Sequence, residues 1–201
     1  MTIDDAITFL RKDQALALVI DAVGEYKLRK RNHHFSVLVE SIISQQLATS
    51  AADAIFKRFK SLYPKFPTAS EILATKKSTL RQVGLSSMKI EYLKDLAKHV
   101  NEGKLNMRSI SGMDDEDVIS HLTQVKGIGR WTAEMFLIFS LGRQDIFPVG
   151  DLALRKGVQM LFSLPEIPKQ IEAEKLGQRW KPYRTAATWY IWKSLRQFNK
   201  I

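Results

Sequence analysis

Apolar residues recur at intervals of three and four along nearly the whole chain. Ile3, Ile7 and Leu10 open it; Phe35, Leu38, Val39, Ile42 and Ile43 follow, then Ala54, Ile55, Phe59 and Leu62. That period belongs to helices that bury one face, and it leaves little room for strands. Turn signals divide the helices at Tyr63-Pro64-Lys65-Phe66-Pro67, at Val83-Gly84, at Asn101-Glu102-Gly103 and at Leu164-Pro165-Glu166-Ile167-Pro168. The pattern predicts an all-α fold of about nine or ten short helices.

With 201 residues, 45% of them hydrophobic, the chain can bury a real core, which excludes a disordered tail or a disulfide-held miniprotein. It has no cysteine, so disulfides, thiolate zinc sites, iron–sulfur clusters and cysteine nucleophiles are excluded together. Lys and Arg number 31 against 21 Asp and Glu, a formal charge of +10. A polyanion, chiefly nucleic acid, is the expected partner, and an anionic membrane surface is the weaker alternative. The excess is uneven: residues 1–120 carry 18 basic and 15 acidic side chains, residues 121–201 carry 13 and 6. The basic runs Lys27, Arg29, Lys30, Arg31 and Lys57, Arg58, Lys60 read as solvated helix faces or linkers, with contact to a ligand as the alternative. No segment reaches the roughly 18 apolar residues of a membrane-spanning helix. The start, Met1-Thr2-Ile3-Asp4-Asp5, is acidic where a signal peptide would be basic. A soluble intracellular protein is expected, in the cytoplasm or nucleoid or in a nucleus.

Residues 114–142 are the most informative stretch. Asp114-Asp115-Glu116-Asp117 starts a helix with carboxylates in its first turn, where the helix dipole favours them. Val125-Lys126-Gly127-Ile128-Gly129 follows, then the apolar run Arg130-Trp131-Thr132-Ala133-Glu134-Met135-Phe136-Leu137-Ile138. This reads as helix, tight hairpin, helix. Two glycines around one aliphatic residue allow positive φ and close backbone approach, while Ile128 packs inward. The N–H groups opening the second helix then suit a phosphate, a contact that positions nucleic acid without reading its sequence. An ordinary glycine-containing helix connection is the bland alternative.

Leu122 through Ala133 resembles the hairpin of the helix-hairpin-helix DNA glycosylase superfamily. Asp145-Ile146-Phe147-Pro148-Val149-Gly150-Asp151-Leu152-Ala153-Leu154-Arg155 resembles its catalytic loop. Ile42-Ile43-Ser44-Gln45-Gln46-Leu47 is similar to the segment that enters the DNA helix, and Arg179-Trp180-Lys181-Pro182-Tyr183-Arg184 to the C-terminal signature of the 3-methyladenine (alkylation-repair) DNA glycosylase II branch. The four stand in the family's order between residues 35 and 192.

The resemblance implies that Asp151 is the catalytic carboxylate, stabilising the oxocarbenium-like sugar and orienting or deprotonating the attacking water. Read alone, Asp151 is an N-cap for the helix that starts at Leu152, and both roles are compatible. Lyase-competent relatives carry a lysine two residues after the second hairpin glycine; here Trp131 stands there, so a monofunctional enzyme that leaves an abasic site is expected. Trp131 is implied to stack on a flipped base, a cationic alkylated base above all. Met135, one turn on, takes a place that is aromatic in some relatives. Trp180 and Tyr183 are further pocket candidates, whereas Trp189 and Trp192 read as core. Gln46 and Leu47 are the candidates to fill the gap that a flipped nucleotide leaves. Lys126, Gly127, Ile128, Gly129, Arg130 and Thr132 are the expected DNA-backbone contacts. Gly150 departs from the acidic residue that often precedes the catalytic aspartate.

By resemblance the hairpin also binds Na+ or K+ through the main-chain carbonyls of Thr123, Val125 and Ile128. The histidines His33, His34, His99 and His121 have no zinc spacing, and His33 and His34 read as surface residues; no catalytic cofactor is expected. The family fold implies two helical domains with the DNA cleft between them. One is residues 35–142, with the hairpin at about 114–142; the other joins 1–34 to 143–201 and carries Asp151 near the junction. No extra α/β domain is expected. The predicted function is base-excision repair by a monomer that acts on double-stranded DNA and hydrolytically removes alkylated bases of the 3-methyladenine and 7-methylguanine type. The alternatives are a glycosylase for oxidised, deaminated or mismatched bases, and a non-catalytic hairpin module that only grips DNA.

Overall fold

The computed structural model describes residues 2–198. The elements are α1 (Ile3–Leu10), α2 (Gln14–Val23), α3 (His34–Ser44), α4 (Thr49–Lys60), α5 (Ala69–Ala74), α6 (Lys77–Gln82), α7 (Ser87–Asn101), α8 (Asp115–Thr123), α9 (Arg130–Phe136), α10 (Leu152–Leu161), α11 (Gln170–Gly177) and α12 (Arg184–Phe198). Short 3-10 turns lie at Ile110–Gly112 and Gln178–Trp180, and α9 runs on into a π turn, Leu137–Leu141. Among the described residues there is no strand, and no helix is long and apolar enough to cross a membrane. The all-α expectation holds, but the helices outnumber the nine or ten predicted. One reason is that α1 and α2 are divided at Arg11–Asp13 without glycine or proline. There Asp13 caps the new helix, its Oδ1 accepting from the Leu16 N–H at 3.1 Å.

The chain forms two compact units, one drawn from its start up to Lys30 and from Gly142 onward, the other from Arg31–Leu141. In the first, α12 packs on α10 and α2 around Leu16, Ile20, Leu154, Val158, Trp180 and Tyr190. The α10–α12 crossing is so close that a Cβ at Gly157 would lie 2.2 Å from Ile191 Cγ2. Tyr26 packs edge-on to Trp189, ring centroids 5.0 Å apart, and burial, with Tyr190 beside it, pushes its phenol up to about 12. A raised folded-state value favours the neutral phenol, so this stability is complete below the ordinary value near 10 and lost as pH rises toward 12. Tyr26→Phe is expected to remove a loss on the order of 2 kcal/mol between those limits, measured by urea unfolding across alkaline pH.

In the second unit α3 is apolar through Val37, Leu38, Val39, Ile42 and Ile43, all buried, and packs on α4, α7 and α9. Thr68 and Glu71 form a capping box at α5. The far end of α5 is closed from α7: Lys94 Nζ donates to the carbonyls of Ile72, Leu73 and Thr75 at 2.6–2.7 Å. These are last-turn carbonyls that a helix leaves without partners of its own. His34 is no surface residue: half-buried, it stacks edge-on to Phe136 and its Nδ1 lies 2.8 Å from Ser140 Oγ.

Candidate DNA and base site

In the second unit, α3 stops at Ser44 and the chain turns through Gln46 at φ +55°, a left-handed conformation that is uncommon outside glycine. Two long side chains hold this turn. From α7, Lys89 Nζ donates to the Ile43 carbonyl at 2.6 Å, and burial lowers that ammonium's pKa from its ordinary value. Gln45 Nε2 donates to the Gly127 carbonyl at 2.8 Å, tying the turn to the hairpin. Gln46 is exposed and Leu47 is 39% exposed, so Leu47 is not one more core leucine.

The hairpin between α8 and α9 buries Val125 and Ile128 and turns at Gly127 with φ +81°. The ring of Tyr92 on α7 lies against Gly127, where a Cβ would come within 2.1 Å of Tyr92 Cδ2. Asp95 on α7 accepts from the Lys126 N–H at 2.8 Å. Gly127→Ala therefore meets a filled space and a strained φ together, and is expected to cost about 1–3 kcal/mol and weaken duplex DNA binding. Adding Tyr92→Ala relieves the clash but not the φ strain, so the double variant should recover only part of the binding in a fluorescence anisotropy titration.

Gly129 is the N-cap of α9, and its backbone leads into an N-terminus with no side-chain cap. Two predicted DNA contacts there take a different form. The Arg130 guanidinium forks onto Glu116, Nη2 to Oε1 at 2.5 Å and Nη1 to Oε2 at 3.0 Å, and its Nε donates to Glu134 Oε1 at 3.2 Å. That hydrogen bonding holds the Glu116 carboxyl below the usual range. Thr132 is buried. Lys126 keeps an exposed side chain.

One open pocket of about 1060 Å³ in this unit is lined by Gln46, Leu47, Gly127, Trp131, Thr132 and Met135, among others. Trp131 is 48% exposed there and Met135 is half-buried. The structure thus brings together the Gln45–Leu47 turn, the hairpin and the Trp131–Met135 face of α9. Gln45, Lys89, Tyr92 and Asp95, which hold these parts in register, escaped the sequence reading. Only the Ser-Gln-Gln run pointed to one of them.

In the first unit, Asp151 is the N-cap of α10, its Oδ1 accepting from the Leu154 N–H at 2.9 Å. A carboxylate has about four acceptor sites, so capping leaves capacity for other work. The loop before it is anchored by Arg184, whose Nε and Nη2 grip Asp145 at 2.7 and 3.0 Å while Nη1 reaches Glu174 at 2.9 Å. Thr185 Oγ1 accepts from Ile146 N and donates to the Arg143 carbonyl. Trp180, predicted to line the base pocket, does not: it is 1% exposed, packed between Phe147 and Phe162, with its indole N–H on Asp13 Oδ2 at 3.2 Å. A ring sealed on both faces cannot stack on a base. Tyr183 is half-buried against Phe9 and lines a small cavity with Ile3 and Ile7. Among the described residues no group of three or more His, Asp or Glu could hold a metal.

The profile of the HhH-GPD superfamily of base excision DNA repair proteins matches residues 39–182. The chain belongs to that superfamily. It is 39% identical over 188 residues to DNA-3-methyladenine glycosylase 1 of Schizosaccharomyces pombe, covering 90% of this chain and 82% of that one. The solved structure of the S. pombe 3-methyladenine DNA glycosylase Mag1 in complex with abasic DNA superposes with a TM-score of 0.86 at 38% identity, covering 96% of this chain and 97% of that one. A DNA-3-methyladenine glycosidase from Bacillus halodurans gives 0.87 at 37%, covering 96% and 89%. The two-helix hairpin and the Asp151 loop both lie within the matched span.

Proposed function

We propose that this HhH-GPD protein is a monofunctional DNA glycosylase of the 3-methyladenine type, an intracellular monomer that removes alkylated bases from duplex DNA. The observation that carries the reading is the half-exposed indole of Trp131 in the same pocket as Gln46 and Leu47. Taking a base out of the stack needs a wedge to fill the gap and a π surface to receive the base. An electron-rich indole face rewards a cationic base most. Such a base is already a good leaving group and needs little protonation.

Asp151 supplies the negative charge that stabilises the oxocarbenium-like sugar, and orients or deprotonates the water that attacks C1′. The hairpin main chain from Gly127 to Thr132, with the Lys126 side chain, holds backbone phosphates. Trp131 stands where lyase-competent relatives carry lysine, so no amine is placed there to open the sugar. The donor chemistry at the hairpin suits a bound Na+ or K+: Thr123 ends α8, where carbonyls point past the helix, and the carbonyls of Val125 and Ile128 follow within the turn. Such an ion would stiffen the hairpin and take no part in bond breaking. The test is release of 3-methyladenine and 7-methylguanine from methylated duplex DNA, with strand nicking scored before alkali. Release without nicking supports the reading. A folded protein that binds DNA and releases neither base would move the assignment to oxidised or deaminated bases.

A further inference from the structure

We infer that Glu40, seated by Arg31, sets the charge preference of the Trp131 pocket, favouring bases that carry positive charge and opposing the release of neutral ones. The inference rests on the proposed function and names a substrate preference of that same site. Glu40 interrupts the apolar run of α3 between buried Val39 and Ile42–Ile43, and its side chain is 30% exposed. Among the described residues it is the one carboxylate lining the pocket. Trp131, Met135 and Phe139, four residues apart, line it as well, so π and thioether surfaces share the space with a negative charge. Two cations line it too: Lys89 spends its ammonium on the Ile43 carbonyl, and Arg31 pairs with Glu40 itself.

Arg31 forms an ion pair with Glu40 and is itself held by main chain: its N–H donates to the Phe139 carbonyl at 2.8 Å, and its carbonyl accepts from Ser140 Oγ at 3.3 Å. The Arg31 side chain is the more exposed partner, at 47%. Water therefore screens the guanidinium better than the carboxylate, and an arriving cation can share Glu40.

The preference follows from where charge goes when the glycosidic bond breaks. The bonding pair leaves with the base, and water gives its oxygen to C1′ and loses a proton. A 7-methylguanine base starts at +1 and leaves neutral, whereas hypoxanthine starts neutral and leaves negative until that proton reaches it. A nearby carboxylate strengthens capture of the first and opposes departure of the second. Glu40 is thus a specificity-determining residue rather than a catalytic one, and it acts on binding for the cation and on rate for the neutral base.

The experiment is single-turnover excision by wild type and Glu40→Gln on duplexes holding one 7-methylguanine or one hypoxanthine, with melting temperature and affinity for abasic duplex as controls. The variant should need on the order of tenfold more enzyme for half-saturation on 7-methylguanine, without a lower maximal rate, and should release hypoxanthine faster. If hypoxanthine stays intact with both proteins, the half-saturation shift on 7-methylguanine alone decides. Unchanged half-saturation, or an equal loss on both substrates, would overturn the role of Glu40. Failure of wild type to release 7-methylguanine and 3-methyladenine would instead overturn the proposed function, and this inference with it.

Discussion

Asp151→Asn is expected to lower single-turnover release of 7-methylguanine from methylated duplex DNA on the order of a thousandfold, with no change in melting temperature or in binding to undamaged duplex. The two expectations separate the two jobs of this side chain. As the N-cap of α10 it needs only an oxygen to accept the Leu154 N–H, and asparagine caps a helix as well as aspartate does. As a stabiliser of a cationic sugar it needs a full negative charge, which asparagine lacks. Asp151→Ala removes both and should lower stability by about 1 kcal/mol as well. An Asn variant that retains full release would assign Asp151 to capping alone and leave the chemistry elsewhere.

Trp131→Ala should reduce excision of cationic bases between about fivefold and a hundredfold, the range that base–aromatic stacking gives on truncation to alanine. Melting temperature should hold, because nearly half of this indole is in solvent. Trp180→Ala is the informative contrast. That ring is sealed in the core of its own unit and should cost about 3–5 kcal/mol, read as a large drop in the denaturation midpoint. If the Trp131 variant unfolds and excises in proportion to its folded fraction, the indole is structural and the pocket has another base-stacking surface.

These two tryptophans mark how far the sequence could be read. Both stand in motifs, and indole suits a core or a wet site equally because it joins a large apolar body to one polar N–H. What separates them is a partner far along the chain: Asp13, 167 residues away, takes the Trp180 N–H. The hairpin divides in the same way. Its Gly-x-Gly turn was legible because positive φ is a local demand, met at Gly127. The Tyr92 ring that lies against Gly127, and the Gln45 amide that reaches its carbonyl across 82 positions, left no local trace. Arg130 looked like a phosphate ligand by its charge and place. In the fold its guanidinium is paired with Glu116 on the preceding helix, a partner that the local sequence does not announce.

The helical class, the order of the four motifs, the exclusion of thiol chemistry and the candidate residues for a cationic base were legible along the chain, since periodicity, turn chemistry and side-chain type are properties of short stretches. Which tryptophan is exposed, which cations pair with helix ends or with carboxylates, and that Glu40 lines a pocket with Trp131 emerge only once the chain is folded. Those outcomes depend on burial and on pairings through space, which a one-dimensional pattern does not carry.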